Sequence, residues 1–281
     1  MKLEKKICLI TGAGRGIGEA IALTFARYGA TLVLCSRTLE EVERVAAQTR
    51  AAGSVTMTFR VDVSDFQQVS NMVRETISRL GKIDALVNNA GIYGPIGPIW
   101  KNDVLHWKKT VEINLFGAMH CIRAVVPHMI EARRGKIINV AGGGEGAFPR
   151  FSAYACSKSA IIRLTETLSE ELGEYNIQVN AIAPGAVNTR LLDQVLAAGE
   201  EAGIYYEKAK KQKASGGVPP ERTAELAVFL ASDASKNLTG RLLSAVWNDW
   251  EKLDIERVAN SSLYQFRRIN GVRFLELKQH I

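Results

Sequence analysis

Cysteine is sparse in this chain. Only Cys8, Cys35, Cys121 and Cys156 occur among 281 residues. No two are close enough for a metal knuckle or a CxxC redox pair, and no secretory signal is read ahead of them. A disulfide scaffold is therefore excluded, no metal site is expected, and reduced thiols in a cytoplasmic protein are predicted. No apolar run approaches the length of a membrane span, so no membrane partner is expected. Low-complexity segments are absent, as are internal repeats beyond an alternation of strands and helices. No nucleic-acid motif accompanies the net charge of +7. That charge reads as solubility, or more weakly as attraction of anionic small molecules. The densest basic stretch runs from Lys208 through Lys210 and Lys211 to Lys213, with only Tyr205 and Tyr206 as aromatic neighbours. No nucleic-acid partner is expected from so little.

What is present is ordinary globular composition, 47% hydrophobic and 23% charged, with ample material for a core. Ile7-Cys8-Leu9-Ile10 and Ala85-Leu86-Val87 are short apolar runs without alternation. They suit strands buried on both faces of a parallel sheet. Further strands are predicted over residues 31–35, 55–61, 136–140 and 178–182, with a seventh over 242–246. A first helix is predicted over 19–28, and longer helical stretches over about 103–131 and 152–174. Thr38-Leu39-Glu40-Glu41 reads as a capping box and Ser64-Asp65-Phe66-Gln67 as a second cap. Strand and helix alternate throughout. The predicted fold is α/β, a doubly wound parallel sheet of Rossmann type in a single domain with a C-terminal extension.

The expected divisions are a dinucleotide-binding catalytic body over residues 1–250, a substrate flap over about 190–220, and the extension over 251–281. The flap is helical in composition and its end, Ser215-Gly216-Gly217-Val218-Pro219-Pro220, reads as mobile. Residues 255–269 read as amphipathic, and Arg267, Arg268 and Arg273 make the tail basic. Its expected place is against the body or a neighbouring subunit. Ligands on doubly wound sheets bind beyond the carboxyl ends of the strands. The turns over residues 12–18, 88–91, 141–146 and 184–189 fall there.

The first of these turns is rich in glycine: Gly12, Gly16 and Gly18 flank Arg15 and Ile17. Glycines let backbone N–H groups approach a phosphate at the positive end of a helix. The alternative is a merely structural turn, but a buried strand leads in and a helix leads out, which favours a dinucleotide. Strand two ends in Cys35-Ser36-Arg37 with no carboxylate. An acidic residue there would hold ribose hydroxyls, whereas guanidinium groups welcome a 2′-phosphate. Ser36, Arg37 and Arg15 thus favour NADP(H), with NAD(H) still possible. Tyr154 and Lys158 stand one helical turn apart and project from one face. A phenol beside an ammonium suits proton transfer, because the positive charge favours the phenolate. The alternative is a surface pair on an amphipathic helix.

Taken in order, Thr11 to Gly18, Asp62-Val63, Asn88-Asn89-Ala90-Gly91, Asn114, Tyr154-x-x-x-Lys158 and Pro184-Gly185 with Thr189 resemble the short-chain dehydrogenase/reductase family. The resemblance spans about residues 5–246. It implies an enzyme that moves hydride between a nicotinamide dinucleotide and a small-molecule substrate. Asp62, with Val63, would meet the adenine; Asn89, Ala90 and Gly91 would line the cofactor floor. Pro184, Gly185, Val187 and Thr189 would complete the cofactor site, with Thr189 at the nicotinamide carboxamide. Tyr154 would be the acid/base, Lys158 its electrostatic partner and a holder of the nicotinamide ribose, and Asn114 the holder of a relay water. The family often forms homo-oligomers, and a dimer or tetramer is expected here.

One group is missing. The family places a serine about thirteen residues before the tyrosine, where this chain has Ala141, and no Ser or Thr occurs from Ile137 to Phe151. Backbone N–H groups of residues 142–144 or a water could stand in, the serine could have been substituted, or the protein could bind cofactor without efficient turnover. Glu145 is a further candidate to face the substrate, against a solvated loop carboxylate. The expected function is an NADP(H)-dependent oxidoreductase interconverting a secondary alcohol and a ketone. The alternative is a regulatory or catalytically impaired relative.

Overall fold

The computed structural model describes residues 2–143 and 146–266. Seven parallel strands form one sheet in the order β3-β2-β1-β4-β5-β6-β7. They are β1 (Ile7–Thr11), β2 (Thr31–Ser36), β3 (Thr56–Arg60), β4 (Ala85–Asn88), β5 (Gly135–Val140), β6 (Ile177–Ala183) and β7 (Leu242–Ser244). The chain winds outward from β1 in one direction, then crosses back to β4 and winds the other way. The crevice between β1 and β4 is the switch point at which such sheets bind ligands. Both faces of the strands are covered. Cys8 and Ile10 of β1 join one core cluster, while Ile7 and Leu9 join the other. Leu32 and Leu34 against Val33 and Cys35 repeat this division in β2. That explains why the strands lack polar alternation.

The first face carries α1 (Gly16–Arg27), α2 (Leu39–Ala51) and α9 (Pro220–Ala231), and the second carries α3 (Phe66–Leu80), α5 (Gly117–Glu131) and α6 (Ser152–Glu171). The sequence placed the start of the first helix at residue 19, but α1 begins at Gly16. Its first turn is therefore made by the glycines themselves. One cap also differs from expectation. Thr38 holds the N-cap position of α2 without a side-chain hydrogen bond, and Ser36 Oγ accepts from Thr38 N and donates to Thr38 O. Within the second predicted cap, over residues 64–67, Asp65 caps α3, accepting from Gln67 N and Gln68 N. A carboxylate at a helix N-terminus is favoured by the macrodipole.

The helical stretch predicted over 103–131 is interrupted. It consists of α4 (Val104–Val111), a π-helical turn (Glu112–Phe116) and α5. As a continuous run, Val104–Glu131 has the length and apolarity of a membrane-crossing helix, contrary to the reading of the sequence. Its Ile113, Cys121, Ile122, Val125 and Met129 instead pack into the second core cluster. The flap is two helices, α7 (Arg190–Ala198) and α8 (Ile204–Ser215). Its ends are joined where Val187 pairs with Val218 and Val218 N donates to Ala186 O at 2.8 Å.

The tail packs on the body through residue 266. Helix α10 (Ile255–Ala259) opens the stretch read as amphipathic over 255–269; the end of that stretch, with Arg267, Arg268 and Arg273, lies outside the described residues. Arg241, buried at 4% exposure, donates to the carbonyls of Val258, Ala259 and Ser261. Leu242 N donates to Tyr264 O at 2.8 Å, so the tail covers part of the outer edge of β7.

Candidate active site

The glycine turn is held from below. Asn89 Nδ2 donates to the carbonyls of Thr11 and Gly12 at 2.9 and 3.1 Å, and Thr11 Oγ1 accepts from the N–H groups of Asn89 and Ala90. A Cβ on Gly12, which lies at φ +63°, would come within 2.9 Å of Ala90 Cα. A Cβ on Gly18 would come within 2.2 Å of the Gly12 carbonyl oxygen. Gly18 thus closes helix against turn, and it lines neither of the cavities described below. Above the N-terminus of α1 opens a cavity of about 510 Å³, lined by Gly12, Arg15, Gly16, Ile17, Ser36, Arg37, Asp62, Val63, Asn89, Ala90, Gly91 and Thr189. This cradle at a helix N-terminus fits a dinucleotide phosphate.

Electrostatics at the far end of this cavity differ from the sequence reading. Arg37 and Arg15 are both there, but so is a carboxylate: Arg15 Nη1 donates to Glu41 Oε1 and Oε2 at 2.8 and 3.1 Å. Glu41 lines the same cavity from the first turn of α2. The sequence offered it only as part of a capping box, because it lies 26 residues beyond Arg15 and five beyond the end of β2; only the fold brings it across. Asp62 accepts from Ser64 N and Ser64 Oγ at 2.9 and 2.6 Å. Burial opposes its ionisation. The two Ser64 bonds, with the nearby Lys109 and Arg37 charges, outweigh that and hold its carboxyl below the usual range.

A second cavity of about 830 Å³ adjoins the first and contains Tyr154, Lys158, Pro184, Gly185 and Val187. Gly91, Asn89, Ile17 and Thr189 line both. Lys158 is buried, 4% exposed, and its Nζ donates to Val140 O at 2.7 Å while lying 5.7 Å from the centre of the Tyr154 ring. Burial lowers its pKa from 10.5 to about 8. Asn114 sits in the π-helical turn, a distortion frequent at functional sites. Its Oδ1 accepts from Ile92 N at 2.8 Å, and its Nδ2 donates to Ile92 O and Ser157 Oγ. Asn114 lines neither cavity; it stands behind Gly91. A Cβ on Gly91 would come within 3.2 Å of Asn114 Oδ1 and 3.5 Å of Lys158 Nζ.

The short chain dehydrogenase profile matches residues 6–199. The chain belongs to the short-chain dehydrogenase/reductase family. Like its relatives it is an NAD(P)-dependent oxidoreductase of the type that acts on CH–OH groups. It is 34% identical over 250 residues to a 3-oxoacyl-acyl-carrier-protein reductase of Thermotoga maritima, covering 86% of this chain and 97% of the relative. It is 32% identical over 245 residues to the 7alpha-hydroxysteroid dehydrogenase of Escherichia coli, covering 87% and 94%. Among solved structures, a NAD+-bound xylitol dehydrogenase superposes with a TM-score of 0.81 at 33% identity, covering 87% of this chain and 98% of that one.

Ala141, where the resemblance leads one to expect a serine, is 2% exposed and clusters with Ala118, Ile161, Ile162 and Ala181. Gly142 and Gly143 follow at φ +101° and +74°, and a Cβ on Gly143 would lie 3.0 Å from Tyr154 Cε1. The backbone therefore approaches the phenol where an ordinary side chain would collide. Gly144 and Glu145 lie outside the described residues. Thr189 caps α7, with Oγ1 accepting from Leu191 N at 3.3 Å. Its methyl carbon would sit 3.1 Å from a Cβ on Gly16, which shows how closely the flap's first helix meets the glycine turn.

Rings surround the phenol. Tyr93 meets Tyr154 edge to face with centroids 4.6 Å apart; Phe148 stacks on Phe151 at 4.4 Å; Tyr205 of α8 meets Phe148 edge to face at 4.6 Å. Trp247, 85% exposed, stands at the mouth. Of these the sequence drew attention to Tyr205 alone. The others are scattered over loops that only the fold gathers.

Proposed function

We propose that this enzyme interconverts a secondary alcohol and a ketone with NADP(H). The observation that carries the reading is the meeting of Tyr154 and buried Lys158 in the second cavity, with Lys158 Nζ 3.5 Å from a Cβ on Gly91, which lines both cavities. When bound, the nicotinamide supplies or accepts the hydride. Tyr154 donates its proton to the carbonyl oxygen during reduction and takes it back during oxidation. Lys158 stabilises the phenolate and, through Gly91, stands near Asn114, the proposed holder of a relay water. Backbone N–H groups of Gly142 and Gly143 take the place of the missing hydroxyl. Arg37 and Arg15 support preference for the 2′-phosphate. Flap helices α7 and α8 close over a small-molecule substrate. The exposed Val104, Leu105 and Phe116 support assembly into a homodimer or tetramer through the α4–α5 face. We place the protein in the cytoplasm, with neither a membrane nor a nucleic acid as partner. The dinucleotide-binding body runs to residue 250 and the extension follows.

Single-turnover oxidation of bound NADPH against a panel of cyclic and linear ketones tests this. Ketone-dependent loss of nicotinamide absorbance is expected, and Ala141→Ser should change the rate by less than about tenfold. A gain near the 10²–10³ that one oxyanion donor is worth would show that the backbone does not replace the hydroxyl. Tight NADPH binding without turnover, unrelieved by Ala141→Ser, would favour a regulatory protein.

A further inference from the structure

The second cavity is unusual in its charge. Among the described residues lining it there is no Asp or Glu, and its two charged groups are Lys158 and Lys208. Lys158 is committed to Val140 O and the phenol. Among the described residues, no carboxylate pairs with Lys208. On α8, Lys210 pairs with Glu207 and Lys213 with Asp193. Lys208 instead lies over the Tyr205 ring, its Nζ 5.0 Å from the centroid. Tyr205 packs edge-on against Phe148 and Phe151, and Phe148 in turn meets Tyr154 edge to face at 6.3 Å. One positive charge therefore stands about three ring contacts from the phenol, at the end of an aromatic wall.

We infer that the cavity accepts a ring ketone bearing a carboxylate, the ring packed on Phe148, Phe151 and Tyr205 and the carboxylate held by Lys208. This rests on the ketone reading above. A volume of about 830 Å³ lies within the range of pockets that enclose drug-sized ligands, and exceeds what a short linear ketone fills. Aromatic walls select flat or cyclic bodies through edge-to-face contact. A single ammonium suits a monoanion. Phosphate dianions call for several donors, as in arginine forks or backbone nests; α8 lines the cavity with Tyr205, Lys208, Ala209 and Gln212, and the Gln212 amide already donates to Asn188 Oδ1 at 3.0 Å.

The test compares phenylcyclohexanone with the same ketone carrying a carboxylate on the phenyl ring. Lys208 faces solvent, and exposed ion pairs contribute at most about 1 kcal/mol, so a preference of about fivefold in kcat/KM is expected at low salt. It should shrink as salt rises. Lys208→Gln should erase the preference, lowering kcat/KM for the carboxylated ketone about fivefold more than for the neutral one. Lys211→Gln, altered on the same helix but outside the cavity lining, should keep it. Equal rates for the two ketones in the unaltered enzyme, or a preference that survives Lys208→Gln, would overturn the inference. If neither ketone oxidises NADPH, the alcohol–ketone reading fails for this pair. Calorimetric titration of both into the NADPH-bound protein then decides the anion site alone: tighter binding of the carboxylate, lost in Lys208→Gln, sustains it, and equal or absent binding refutes it.

Discussion

Replacing Lys158 with methionine tests whether the buried ammonium opposes folding while serving the reaction. Its pKa falls from 10.5 to about 8 because burial penalises the charged form. At about 1.36 kcal/mol per decade, this corresponds to about 3 kcal/mol against the folded state at pH 7. The sign follows from proton binding. Below pH 8 the amine is charged in both states and the full penalty acts. Between pH 8 and 10.5 the folded protein sheds the proton while the unfolded chain keeps it, so the penalty fades and stability rises. By pH 9.5 about 1 kcal/mol remains. Methionine removes the whole term but also the Nζ–H bond to Val140 O, a loss of about 1–3 kcal/mol. We expect Lys158→Met to be more stable than the unaltered protein by about 0–2 kcal/mol at pH 7. That difference should move against the variant by about 2 kcal/mol between pH 7 and 9.5. Urea denaturation of both cofactor-free proteins, at matched concentration and at each pH, reads it directly, since other titrating groups cancel in the difference. Turnover should meanwhile be lost. A variant less stable by more than about 2 kcal/mol at pH 7, or a difference that stays flat with pH, would refute the reasoning.

Three further outcomes are expected. Glu41→Gln frees Arg15 from a half-exposed ion pair and should tighten NADPH by about fivefold with little effect on NADH; fluorescence titration measures both, and equal changes would remove Glu41 from phosphate selection. Gly143→Ala places a methyl 3.0 Å from Tyr154 Cε1 at φ +74°, so kcat should fall by about a hundredfold as the phenol is displaced; an unchanged kcat would show that the loop yields instead. Arg241→Met strips three tail carbonyls of their donor and should destabilise the protein by about 3 kcal/mol. Limited proteolysis should then cut within residues 255–266, and an unshifted denaturation midpoint with an intact tail would count against the clasp.

The sequence by itself determined the strand order of events along the chain. Runs such as Ile7–Ile10 lack alternation because each strand alternates between two apolar cores, and that signal is local. The glycine turn and the Tyr154-Lys158 pair were legible for the same reason: the chemistry needs them at short, fixed spacing. Tertiary structure alone decided the rest. It set Glu41 against Arg15, and it gave Asn114 to the backbone of Ile92 in a π-turn that periodicity reads as plain helix. It showed that the glycines after Ala141 bring backbone to the phenol. It also gathered Tyr93, Phe148, Tyr205 and Trp247 around one cavity from four separate segments. Such residues have no mutual spacing to read, because the sheet's crossover, not the sequence distance, sets which loops meet at its carboxyl edge.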